Sequence, residues 1–258
     1  MSRPQRAPAR DRAPKHLESH RLTLADGART TVHVAAYRLS RAQVRVARIK
    51  APVEAWCASE GIDEAIVGGF FVRGGARDLV PLGELRTGGI RRRTVPFDAP
   101  WGSVRACVHA SGGTVEIARR PDLPADPAGD LLQAGPLLVR GGEVVGDGDV
   151  EGFSAGSGQF DSDITAGRYP RAALALAPRG RLLAVACDGR ADDESGLSLA
   201  ELGEALVALG ATDALNLDGG GSTSLVCGGR LRNVPREDHG IVLAGGRTVA
   251  TALAFLPR

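Results

Sequence analysis

Lysine is nearly absent: Lys15 and Lys50 are the only two among 32 basic residues, and 30 acidic residues leave a net charge of +2. A near-neutral balance carried by arginine supplies no polybasic field, so nucleic acid is not an expected partner. The one dense basic run, Arg91-Arg92-Arg93, reads as a solvated surface patch. Cysteine is also scarce. Cys57, Cys107, Cys187 and Cys227 lie far apart with no Cys-x-x-Cys pair, which argues against a disulfide framework and against a clustered metal site. Reduced, half-buried thiols are expected. None of the five histidines has the His-x-x-His or Glu-x-x-His spacing of a zinc site. No run of about 18 apolar residues occurs, so no membrane partner is expected. The lack of an apolar leader reads as a cytoplasmic chain, or as a secreted one whose leader has been removed.

What is present is a chain of 258 residues with 43% hydrophobic content, enough to bury a sizeable core. Residues 1–20, rich in Arg, Pro and Ala at their start, read as a disordered basic tail, and residues 21–258 as one domain. Alternation in Thr31-Val32-His33-Val34 and Gln43 to Ile49 has the period of half-buried strands. A short helix is predicted over Pro52 to Glu60, then a strand over Glu64 to Val67. Val104 to His109 and Thr114 to Ala118 flank Ser111-Gly112-Gly113 as a hairpin. The stretches Pro121 to Gly129 and Gly141 to Gly167 read as loops, the second long enough to suggest a lid or ligand contact.

The last third is the most explicit. Arg181 to Cys187 is a near-continuous apolar run ending at Asp188-Gly189-Arg190, the pattern of a buried strand. Ser198-Leu199-Ala200-Glu201 offers a capping box, Leu199, Leu202, Leu206 and Leu209 share one helical face, and Gly210 stops the helix. A second strand, Asp213 to Leu217, runs into Asp218-Gly219-Gly220-Gly221, followed by a hairpin from Ser222 to Leu231 through Gly228-Gly229. Strand, helix, strand predicts a βαβ unit near residues 181–217 with parallel strands, which would bring Asp188 and Asp218 to one sheet edge. The expected fold class is therefore α+β: a single domain of mixed β-sheets packed with a few helices.

Three glycines after Asp218 leave backbone amides unshielded beside Ser222 and Thr223, suited to an anion or to sugar hydroxyls. This is no P-loop, since the Gly-Lys-Ser/Thr ending is missing, and no dinucleotide fingerprint, since no helix follows. Gly152-Phe153-Ser154-Ala155-Gly156 has the spacing of a serine-hydrolase elbow but lacks the strand and helix that an elbow joins. Asp147-Gly148-Asp149-Val150-Glu151-Gly152 resembles half of a calcium loop, with Gly158 where a bidentate Glu belongs. No cofactor and no metal ligand is assigned; a looser site for a divalent cation such as calcium, using Asp147, Asp149, Asp161 or Asp163, stays open. His239, in a polar loop downstream of the glycine turn, is a candidate substrate contact.

As an ordered set, Gly68-Gly69-Phe70-Phe71, Gln133-Ala134-Gly135-Pro136, Arg171-Ala172-Ala173, Asp188-Gly189-Arg190, Ser195 to Leu202 and Leu209 to Ser224 resembles the phosphodiester glycosidase family, as do Asn233-Val234-Pro235 and Arg247 to Ala252. The resemblance implies hydrolysis of a sugar-1-phosphodiester at the anomeric C–O bond, with a small sugar phosphate or glycoconjugate as partner. It implies Asp218 as first and Asp188 as second catalytic carboxylate. Arg171 and Arg190 would clamp phosphate, with Asn216, Gly219, Gly220, Gly221, Ser222, Thr223, Gly69, Phe70, Gly135 and His239 as further substrate contacts. The chain departs from the family at Val67 and Thr251, where asparagine is common, at Ala172 for threonine, and at Ser198 for threonine. A non-catalytic sugar-phosphate-binding homologue, and a serine esterase using Ser154, are the competing expectations.

Overall fold

The computed structural model describes residues 16–74, 78–145, 151–153, 165 and 167–258. The proposed elbow serine Ser154 and the acidic residues Asp147, Asp149, Asp161 and Asp163 lie outside the described residues.

Three sheets carry the fold. The largest has seven strands in the order Leu17–Thr23, Arg29–Arg38, Arg181–Cys187, Arg171–Ala177, Asp213–Asn216, Leu137–Arg140, Glu143–Val144. A five-stranded sheet runs Arg230–Leu231, Leu225–Cys227, Ala65–Val67, Val249–Pro257, Ala42–Ala51. Another five-stranded sheet holds the hairpin Ala106–Ser111 and Thr114–Arg119 beside Asp130–Gln133, Leu85–Thr87 and Ile90–Arg91. One apolar core draws on all three, with Leu174 and Leu182, Val46 and Ile66, and Val108 and Leu132 among its members. A second cluster occupies the other face of the seven-stranded sheet, where Ala173, Ala175, Leu183 and Val185 meet Leu199, Leu202 and Leu206 of the helix Leu199–Ala208. Burial on both faces is why Arg181 to Cys187 reads as continuously apolar instead of alternating.

The helix Leu199–Ala208 forms as its sequence dictates: the Ser198 hydroxyl accepts from the Glu201 amide, and the Glu201 carboxylate accepts from the Ser198 amide. The helix Val53–Glu60 is stopped by Gly61 at φ 67°, and the turn Gly228-Gly229 takes φ 63° and 71°, as a two-residue hairpin requires.

The structure corrects the sequence expectations in two respects and qualifies a third. Among the described residues the fold is predominantly β, and every pairing between these strands is antiparallel, so the sheets are not mixed. Arg181–Cys187 and Asp213–Asn216 point the same way, because each pairs antiparallel with Arg171–Ala177, but that strand sits between them. The expected parallel direction therefore holds, with the helix Leu199–Ala208 between the two strands in the chain, but the strands are not neighbours in the sheet. Arg171–Ala177 and Arg181–Cys187 are consecutive, and a tight hairpin through Arg179 and Gly180, both at positive φ, closes a shorter loop than a helical crossover. Lastly, residues 17–20, read as tail, belong to the edge strand Leu17–Thr23, which pairs from Leu17 opposite Ala35 to Thr23 opposite Arg29. Its polar residues fit an edge that faces solvent on one side.

Candidate active site

The strand Asp213–Asn216 delivers the chain to the place where two sheets meet. Beyond it the Leu217 amide donates to Ala172 at 2.8 Å, the Asp218 amide donates to Gly68 at 2.9 Å, and the Gly220 amide donates to Pro170 at 2.8 Å. The chain then turns through the 3-10 segment Gly220–Ser222. These bonds fix Asp218 in the wall of a cleft of about 660 Å³. Phe70, Phe71 and Leu82 line the cleft with apolar surface, and Tyr169, Arg171, Arg190, Arg247, Glu237 and Asp238 line it beside Asp218.

Asp218 sits at the head of the glycine turn, in the lining of the cleft. Burial pushes its carboxyl up to about 6, against the pull of the Ser222 hydroxyl, the Gly219 amide and the Arg247 charge. A carboxyl in that range is ionised at neutral pH yet basic enough to take a proton. The arginines around it are held by other groups. Arg190 donates from Nη1 to the Arg236 carbonyl at 3.1 Å and pairs through Nη2 with Asp238 at 2.7 Å. Arg171 is buried, donates from Nε to the Leu197 carbonyl at 3.0 Å, and lies with Arg190 over the Tyr169 ring, at 5.2 and 5.6 Å from its centre. Arg247 forks onto Glu237, its Nε donating to Oε1 at 2.8 Å, and this pairing holds the Glu237 carboxyl below its ordinary range.

The three glycines serve these side chains more than a bare anion cradle. The Gly219 amide is taken by the Asp218 carboxylate at 2.9 Å, and the Gly220 amide by Pro170. A Cβ on Gly221 would stand 2.9 Å from the Glu237 carboxyl carbon and 3.0 Å from Arg247, and one on Gly220 would stand 3.2 Å from the Arg190 guanidinium. The glycines therefore let two ion pairs close directly on the backbone.

The structure brings Asp218, Arg171, Arg190, Asn216, Gly219, Gly220, Gly221 and Phe70 to the cleft. Asp188 it does not. Its Oδ2 stands 2.9 Å from His33 Nε2 and its Oδ1 accepts from the Val234 amide at 2.6 Å, so its carboxylate braces two segments behind the site. Ser222 and Thr223 are buried beneath the turn, Ser222 against Asp218. Gly69 and Gly135 lie behind the wall: the Gly69 amide donates to Thr251 Oγ1 at 3.0 Å, and Gly135 accepts from the Asn216 amide group at 3.0 Å. His239 is on an outer surface with Ala191 and Asp192 rather than in the cleft, at φ 59°. Sequence reasoning missed Arg247, Glu237, Asp238 and Tyr169. The signal in the sequence is the polar loop Arg236-Glu237-Asp238, whose partners Arg190 and Arg247 lie in other segments of the chain.

A family model described as phosphodiester glycosidase matches residues 60–256. The chain belongs to the phosphodiester glycosidase family. The match takes in the Gly68-Gly69-Phe70-Phe71 and Asp218-Gly219-Gly220-Gly221 motifs together. Among solved structures, the fold is similar to the zebrafish N-acetylglucosamine-1-phosphodiester α-N-acetylglucosaminidase catalytic domain, auto-inhibited by its pro-peptide. That likeness has a TM-score of 0.70 at 20% identity, over 98% of this chain and 87% of that one. It is also similar to a hypothetical protein from Synechocystis, with a TM-score of 0.64 at 20% identity, over 94% of this chain and 62% of that one. A protein of Burkholderia pseudomallei that is named as exported aligns with a TM-score of 0.65 at 19% identity, over 90% and 74% of the two chains. No protein of curated function matches in sequence. Among the described residues no helix is long and apolar enough to cross a membrane.

Proposed function

We propose that this chain hydrolyses a sugar-1-phosphodiester at the bond between the anomeric carbon and the phosphate oxygen. The observation that carries the reading is Asp218: a carboxyl raised to about 6 in a cleft lined by Arg171, Arg190 and Arg247. In this reading the arginines hold the phosphodiester, and Phe70 and Phe71 offer the apolar face of the sugar a surface. Asp218 takes the proton of a water whose oxygen attacks the anomeric carbon. The C–O bond breaks with its electron pair passing to the phosphate oxygen, and free sugar and a phosphomonoester leave. A phosphomonoester departs readily without a strong general acid, so one well-placed base suffices. Asp188, braced by His33 and Val234, supports the site from behind.

Two features favour the second reading, a homologue that binds sugar phosphates without turnover. Val67, at the position where family members commonly carry asparagine, is buried in the main core, and Thr251 is used to hold Gly69. A panel of nucleotide sugars and other sugar-1-phosphodiesters decides between them. Release of reducing sugar that Asp218→Asn abolishes supports hydrolysis, whereas calorimetric binding without release supports the binding homologue. Absence of both sinks the two together.

A further inference from the structure

Away from the cleft, three residues distant in sequence converge. His16 Nε2 stands 3.2 Å from Glu64 Oε2 and 3.3 Å from Cys227 Sγ, and the three atoms all lie within 4.8 Å of one another. None of the three lines the cleft. His16 leads into the edge strand Leu17–Thr23 of the seven-stranded sheet, while Glu64 precedes Ala65–Val67 and Cys227 ends Leu225–Cys227, both in a five-stranded sheet.

The arrangement is not a thiol relay. A catalytic Cys–His–acid set uses one imidazole nitrogen for the thiol and the other for the carboxylate. Here the same nitrogen faces both, and a single N–H or lone pair satisfies only one of them. What satisfies three converging donor atoms is a cation. A tetrahedral zinc, with bonds of about 2.0–2.2 Å to nitrogen and oxygen and about 2.3 Å to sulfur, separates its nitrogen and oxygen ligands by about 3.4 Å and its nitrogen and sulfur ligands by about 3.6 Å. The two distances from His16 Nε2 agree with these to within about 0.3 Å.

The surroundings hold the donors as outer-shell groups hold metal ligands. The Tyr37 hydroxyl donates to Glu64 Oε2 at 2.7 Å, and the Gly228 amide donates to Glu64 Oε1 at 3.0 Å. Tyr37 in turn stacks on Phe255 with ring centres 4.4 Å apart, and its ring centre lies 5.4 Å from that of His16. One nitrogen, one oxygen and one thiolate form a set that selects zinc-class cations over calcium or magnesium.

We propose that His16, Glu64 and Cys227 bind a zinc-class divalent cation, with water as the fourth ligand, and that this ion staples the N-terminal edge strand to the five-stranded sheet. The proposal departs from the sequence expectation of no metal ligand, because linear spacing shows nothing when the ligands come from three separated segments. The test uses the full chain stripped with a chelator and titrated with Co²⁺, then with Zn²⁺. A thiolate–cobalt charge-transfer band should saturate at one equivalent, disappear on adding Zn²⁺, and be lost in Cys227→Ser. His16 is partly exposed, so His16→Ala leaves the core intact; it should weaken cobalt binding roughly tenfold or more and remove the rise in Tm that Zn²⁺ gives the parent chain. A parent chain without the band, or a band of unchanged affinity in both His16→Ala and Glu64→Gln, overturns the proposal.

Discussion

The backbone amide of Asp218 donates to the carbonyl of Gly68 at 2.9 Å, a bond that ties the seven-stranded sheet to a five-stranded one at the floor of the cleft. The Gly68 amide donates in turn to Thr251, and the Gly69 amide to the Thr251 hydroxyl. The candidate base is thereby fixed by backbone contacts from two sheets, an arrangement that positions a reacting group more tightly than a loop alone.

The pH dependence follows from Asp218. If it acts as base, kcat/KM should fall below about pH 6, where its carboxyl takes a proton. The stability effect has the opposite sense. A carboxyl raised from 3.8 to about 6 is favoured in its protonated form by folding, so its contribution is complete below 3.8 and is lost as pH rises through about 6. Asp218→Asn should therefore abolish turnover while raising Tm at neutral pH, by up to about 3 kcal/mol of stability. A pH profile and a melting curve read both, and a lower Tm in the variant would contradict this account.

Asp188 is the test of whether a bracing carboxylate is distinct from the reacting one. Asp188→Ala strands the Val234 amide and releases His33, so it should cost about 2 kcal/mol or more of stability. Residual turnover per folded molecule should remain well above that of Asp218→Asn. Equal loss in the two variants, at equal folded fraction, would return Asp188 to the reaction.

Arg190 should report on the anion. Arg190→Ala removes a guanidinium that lies over Tyr169 and closes on Gly220, and KM for an anionic substrate should rise roughly tenfold or more with kcat little changed. Inhibition by inorganic phosphate should weaken in parallel. A kcat that collapses while KM holds would place Arg190 at the transition state instead.

Gly219 tests the close approach. A Cβ there would stand 2.9 Å from the Pro170 carbonyl, a backbone atom that cannot swing aside. Gly219→Ala should lower Tm and cut kcat, because the displaced turn carries Asp218. Wild-type kcat in that variant would show that the turn tolerates movement.

The features the sequence determined are local ones. Side-chain period and the Ser198–Glu201 capping box specify the helix Leu199–Ala208, glycines at positive φ specify the Gly228-Gly229 hairpin, and the apolar run before Asp188 specifies a buried strand. Each rests on residues within a turn or two of one another. The order of strands was not legible, since the hairpin strand Arg171–Ala177 wins the place beside Arg181–Cys187 by nearness in the chain, a competition that hydrophobic pattern does not record. Nor was the fate of the two strand-end carboxylates. Asp188 and Asp218 carry the same signal in sequence, but His33 and Val234 claim one, and the other is left in the cleft. The pairing of Glu237 with Arg247 and the convergence of His16, Glu64 and Cys227 were decided the same way: the partners come from separate segments, and only chain packing sets which donor atoms meet.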